Sequence, residues 1–83
     1  PQPDLQVWMK PLRDGSRAVA LVNRTEAPAE IGVDWSVIGL RAGAATVRDL
    51  WAHRDLGRLT GRYAATVPSH GVVMVRIAGR PAR

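Results

Sequence analysis

The chain contains no cysteine and no phenylalanine, and its only lysine is Lys10. Without cysteine there is neither a disulfide framework nor a thiolate metal site. The compartment stays open on that count, because exported proteins also do without cysteine. No apolar run approaches the roughly 18 residues that a membrane-crossing helix needs. Aromatic residues make up 5% of the chain, three tryptophans and one tyrosine. Each of them therefore has to be assigned either to the core or to a surface role. Amphipathic helical periodicity is missing as well, beyond one short turn.

What is present fits one small domain. A chain of 83 residues buries roughly 60–65% of its unfolded surface and is stable by about 4–12 kcal/mol. That allows two packed layers and little space for a buried active site. The net charge is +5, from twelve basic and seven acidic residues. A nucleic-acid binder would cluster its cations with exposed aromatics between them. Here the cations are dispersed singly, and the densest stretch, Arg48 to Arg62, also holds Asp49 and Asp55. Solvated faces are the better reading, and neither nucleic acid nor membrane is an expected partner. The polar start, Pro1-Gln2-Pro3-Asp4, reads as a cut between domains and not as a signal peptide. Residues 1–78 read as the domain and residues 79–83 as a tail or linker.

Along the chain, short alternating runs follow one another. Leu5 to Lys10 places Leu5, Val7 and Met9 on one face and Gln6, Trp8 and Lys10 on the other. Pro11 lacks an N–H, which suits a sheet edge. Asp14-Gly15 is a hairpin signal, because Gly15 accepts positive φ without strain. Ser16 to Val22 is apolar on both faces beyond Arg17, as a central strand is. Asn23-Arg24-Thr25 matches the N-glycosylation sequon, but an Asn selected for its turn explains it as well. Ile31, Val33 and Trp35 alternate cleanly inward. Ser36 to Leu40 reads as one helical turn stopped by Gly39. Thr46 to Trp51 breaks its alternation, so a bulge near Asp49 is expected. Leu59 to Val67 reads as one strand with Tyr63, Ala65 and Val67 inward, and Val72 to Ile77 as another central strand. About seven to eight short strands joined by turns predict an all-β, antiparallel two-sheet sandwich with Greek-key-like connections.

No catalytic constellation can be assembled from these residues. Ser69 and His70 are neighbours with no Gly-x-Ser-x-Gly elbow, and His70 is expected to bond to turn backbone. Asp49, His53 and Asp55 lack a fourth ligand, so no metal and no cofactor is expected. Asp49 stands among apolar neighbours and should have a backbone N–H or an Arg as partner. Of the tryptophans, Trp35 and Trp51 read as core packing. Trp8 shares its face with Gln6 and Lys10 and is the candidate for exposure. It either buries against a neighbouring domain or stacks on a sugar, with Tyr63 as a second candidate contact.

Val7 to Leu12, Asp14 to Ala20, Asn23-Arg24-Thr25, Val47 to His53, Asp55-Leu56-Gly57 and Val67 to Val72 together resemble a known pattern. In order and spacing they are similar to the C-terminal β-sandwich of melibiase-type α-galactosidases, glycoside hydrolase family 27. The resemblance implies a (β/α)8 catalytic barrel in the same chain, carrying the nucleophile and acid/base Asp of a retaining mechanism. None of the barrel's motifs occurs here, so no catalytic residue is carried over to any position. It implies a non-catalytic domain that packs against and stabilises that barrel, in an enzyme that is secreted. Two other readings remain: a carbohydrate-binding module using Trp8 or Tyr63 as platform, and a small basic β-domain that binds nucleic acid.

Overall fold

A computed structural model of the chain describes residues 4–81. Seven strands account for most of it: β1 (Leu5–Pro11), β2 (Arg17–Asn23), β3 (Ala29–Asp34), β4 (Ala44–Asp49), β5 (Arg54–Thr60), β6 (Arg62–Val67) and β7 (Val72–Ala78). They form a five-stranded sheet in the order β1-β2-β7-β4-β5 and a two-stranded sheet, β3-β6. Every pairing is antiparallel. β2 and β7, the two strands apolar on both faces, occupy central positions, and β1 with Pro11 at its end lies at an edge.

The core lies between the sheets and follows strand parity. From the large sheet come Val19, Leu21, Ala45, Val47, Val75 and Ile77; from the small one come Ile31, Val33, Tyr63 and Val67. Trp35 and Ile38 enter from a 3₁₀ turn, Trp35–Ile38, which ends at Gly39 in the left-handed region (φ 78°). Leu40 completes the layer. A two-stranded sheet is too narrow to roof a five-stranded one. Leu5, Val7 and Met9 point to the core side of β1, yet stay 38%, 39% and 40% exposed.

Three local expectations are corrected. Leu59 to Val67 is not one strand: the chain turns at Gly61 (φ 81°), leaving β5 in the large sheet and starting β6 in the small one. Gly61 is held there by hydrogen bonds, its N–H donating to the Gly43 carbonyl and its carbonyl accepting from Trp35 N–H. The irregularity in the β4–β5 ladder falls opposite the step from Val47 to Arg48. Val47 pairs with Gly57 and Arg48 with Asp55, so the extra residue is Leu56 on β5, beside Gly57 at φ 94°. Within the expected tail, Arg41 N–H donates to the Arg80 carbonyl at 2.7 Å, and Leu40 bridges to Pro81. Gly79 approaches so closely that a Cβ there would lie 2.9 Å from Ala45 Cβ. Ala82 and Arg83, also assigned to the tail, lie outside the described residues.

Candidate functional site

The surface most unlike ordinary solvated sheet is the outer face of the large sheet. Register places Trp8 beside Ala20 and Ala20 beside Met74, all on the side away from the core. Leu50 extends the row, its N–H donating to the Met74 carbonyl at 3.0 Å. On one flank Gln6, Val22 and Val72 follow in register; on the other come Lys10, Ala18, Arg76 and Arg48. The result is an apolar band across three strands, extended by the residue that follows β4, with a cationic border. Arg76 and Arg48 in that border lie 3.8 Å from Asp14 and 2.9 Å from Asp55.

Side-chain size shapes the band. Ala18 and Ala20 form a low floor, while Trp8 and Met74 rise on either side and leave a groove of about 280 Å³. Trp8 is 62% exposed. Its indole Nε1 donates to Gln6 Oε1 at 2.9 Å, two residues back on the same face. The polar edge of the ring is thus partnered within its own strand, and the apolar face is left for contact.

The remaining aromatics divide differently from expectation. Trp35 is buried and donates Nε1 to the Gly43 carbonyl at 2.8 Å. Trp51 is not core packing but 69% exposed. β4 ends two residues earlier, where Asp49 Oδ1 accepts from the N–H groups of Trp51 and Ala52 at 2.9 Å each. This capped turn carries Trp51 out of the sheet. Tyr63 is only 7% exposed and faces the core, so it presents no ring to a sugar. Burial, and then the Asp49 carboxylate, raises its pKa above the ordinary 10.0.

The other singled-out residues serve turns. Gly15 takes φ 91° in the β1–β2 hairpin, where Asp14 Oδ1 accepts from Ser16 N–H at 2.9 Å and Ser16 Oγ at 2.6 Å. Those two bonds hold the Asp14 pKa below its ordinary value. His70, expected on turn backbone, instead places Nε2 3.3 Å from Glu26 Oε2 at the surface. Ser69 Oγ donates to the Thr25 carbonyl at 2.7 Å, so the neighbouring Ser and His are engaged separately. Among the described residues there is no group of three His, Asp or Glu placed to hold a metal.

Two side chains do more than the sequence reading gave them: Asn23, read as a turn residue, and Arg17. Asn23 is fully buried. Its Nδ2 donates to the Val67 and Ala27 carbonyls at 2.9 Å each, and its Oδ1 accepts from Thr25 N–H and Oγ1. The sequon residues are therefore occupied with each other and with the core, and no glycan fits on Nδ2 in the folded domain. Arg17 binds four carbonyls, through Nε to Ile38 (2.7 Å), Nη1 to Gly15 (2.8 Å) and Ser16 (3.4 Å), and Nη2 to Gly39 (3.2 Å). An Arg at the first position of a return strand carries no sequence mark of that role.

Comparison with known proteins bears on the whole surface. Residues 2–77 match the model of a family described as the alpha galactosidase C-terminal beta sandwich domain. The α-galactosidase of Cyamopsis tetragonoloba is 38% identical over 78 residues, covering 93% of this chain and 19% of that protein. A family GH27 β-L-arabinopyranosidase from Geobacillus stearothermophilus superposes with a TM-score of 0.86 at 27% identity, over 93% of this chain and 18% of that one. α-Galactosidase I from Mortierella vinacea shares the fold, with a TM-score of 0.89 at 23% identity over 99% of this chain and 23% of that one. The chain thus spans about a fifth of the length of the relatives it matches.

Proposed function

This chain belongs to the alpha galactosidase C-terminal beta sandwich domain family, and from that premise we propose that it is the non-catalytic C-terminal domain of a retaining, α-galactosidase-type glycoside hydrolase. In this reading a (β/α)8 barrel in the same protein performs the hydrolysis, and the sandwich stabilises it by covering apolar surface. The observation that carries the reading is the outer apolar band around Trp8, Ala20 and Met74. A monomeric domain rarely leaves such a row uncovered, and the relatives have about four-fifths of their length elsewhere with which to cover it.

The domain supplies contact area and no reacting group. Three of its acids are in surface ion pairs, Asp14 with Arg76, Asp34 with Arg62 and Asp55 with Arg48, and Glu26 lies 3.3 Å from His70 Nε2. Asp49 is taken up by turn N–H groups. None forms the facing carboxylate pair that glycoside hydrolysis requires. Similar sandwiches accompany an α-galactosidase and a β-L-arabinopyranosidase. This supports a role separate from the choice of sugar. Secretion of the parent enzyme belongs to the same reading, by analogy with the family.

The test is deletion of residues 1–78 from the full-length enzyme, with hydrolysis of an aryl α-galactoside followed across temperature. The expected result is a shorter half-life on heating, with the chemistry retained at low temperature. Unchanged heat resistance would sink the proposal. A second reading, a sugar-binding module, is favoured by the exposed rings of Trp8 and Trp51. Titration with galactosides under tryptophan fluorescence separates the two, a saturable response lost in Trp8→Ala or Trp51→Ala supporting the second.

A further inference from the structure

Three arginines from separate parts of the chain line one cleft of about 330 Å³: Arg41, Arg58 and Arg80. The topology brings them together. Arg41 N–H donates to the Arg80 carbonyl, and the close approach of Gly79 to Ala45 seats that segment against β4. Arg58 arrives on β5, in register with Thr46 on the same strand as Ala45.

Ala42, Gly43 and Ala44 line the same cleft. Gly43 stands at φ 117°, with open space within 4 Å of where a Cβ would be. The side chains that these three residues contribute are no larger than a methyl group.

The charge in this cleft is uncompensated. Among the described residues no ion pair or side-chain hydrogen bond engages Arg41, Arg58 or Arg80, and none of those lining the cleft carries a carboxylate. Asp55, Asp14 and Asp34 are paired with other arginines, Arg48, Arg76 and Arg62. Converging like charges repel, and an anion placed among them removes that cost. Guanidinium forks match tetrahedral oxyanions with paired N–H donors, which a lysine cluster does not.

We propose that the Arg41–Arg58–Arg80 cleft is a binding site for a phosphate- or sulfate-type oxyanion, free in solution or carried as an ester on a glycan. The cleft shares no lining residue with the groove beside Trp8.

The test uses the full-length protein and calorimetric titration with inorganic phosphate and inorganic sulfate at low ionic strength. The expected result is saturable binding that weakens as sodium chloride is added. Arg58→Ala and Arg80→Ala should each weaken it about tenfold, whereas Arg13→Ala, an exposed cation in the β1–β2 turn, should not. Should either variant fail to fold, Arg58→Gln preserves length and polarity and serves in its place. Galactose 6-sulfate binding more tightly than inorganic sulfate would assign the ester as the source, and weaker binding the free ion; unsulfated galactose should give no heat at this site. Absence of binding by either inorganic anion, or binding indifferent to the Arg58 and Arg80 substitutions, overturns the proposal.

Discussion

Asn23, at the end of β2, donates its side-chain amide to the carbonyl of Val67, at the end of β6, across a distance of 2.9 Å. Both residues are fully buried, and they belong to different sheets. The bond therefore ties the two sheets together at one end of the sandwich. Because both amide hydrogens and the carbonyl oxygen of Asn23 are engaged, no isosteric residue reproduces the set.

Asn23→Ala removes the amide donor from the Val67 and Ala27 carbonyls and frees Thr25. A loss of about 3 kcal/mol is expected, from several broken hydrogen bonds and the space left by a fully buried side chain. Urea unfolding of the chain checks it. Asn23→Asp should be nearly as damaging, since a carboxylate cannot donate to two carbonyls. Intact mass of the protein expressed in a glycosylating host should show no glycan at Asn23.

Arg17 fixes the 3₁₀ turn to the β1–β2 hairpin through four carbonyls. Arg17→Ala should cost about 2 kcal/mol, and lower the melting temperature by roughly 10 °C. Arg17→Lys recovers only part of this, because one ammonium cannot span carbonyls arranged for a planar fork. Thermal unfolding monitored by circular dichroism distinguishes the pair.

Trp8 is exposed in the isolated domain, so Trp8→Ala there should change stability by no more than about 0.5 kcal/mol. In the full-length enzyme the same substitution should lower the unfolding midpoint clearly, because the ring is then buried at a domain boundary. Equal and negligible effects in both contexts would show that Trp8 faces solvent in both.

Tyr63 should titrate above the range of free tyrosine, since burial and the nearby Asp49 carboxylate disfavour the phenolate. A folded-state pKa raised above the unfolded value means the folded state retains the proton longer. The associated stability is complete below pH 10.0 and declines as the pH rises through the folded value. Ultraviolet absorbance detects the phenolate, and Tyr63→Phe should remove this component of the alkaline loss. Asp14 has the opposite sign: its pKa is lowered by Ser16. Its contribution is present above pH 3.8 and fades as the pH falls through the lower folded value. Ser16→Ala should return that titration toward the ordinary range.

The strands and central positions were legible because period-two alternation and two-sided apolarity are local consequences of burial. Val19 and Leu21 sit on one parity of β2, with Ala18, Ala20 and Val22 on the other. The exposure of Trp51 was not legible. An apolar run ending in Trp suggests a buried strand end, whereas Asp49 bonding to two following N–H groups closes the strand before the ring is reached. Tyr63 read correctly as inward by parity, and that same parity removes it from the candidate sugar contacts.

The candidate site was half visible. Trp8 stood out as an aromatic on a polar face, but Ala20 and Met74 could not be joined to it. They lie twelve and sixty-six positions further along the chain and meet only through the β1-β2-β7 register. The three arginines of the second cleft looked like dispersed charge for the same reason.

The linear order of residues determined the all-β class, the turns at Asp14-Gly15 and Gly39, and the core parities of most strands. Those properties depend on interactions within a few residues: backbone torsions, side-chain alternation and local capping. The tertiary structure alone decided which strand leaves the large sheet at Gly61, which side chains cross between layers and which surfaces stay open. A narrow sheet over a wide one uncovers β1, and strand register gathers distant alanines, Met74 and arginines into surfaces. Neither effect leaves a mark at short range along the chain.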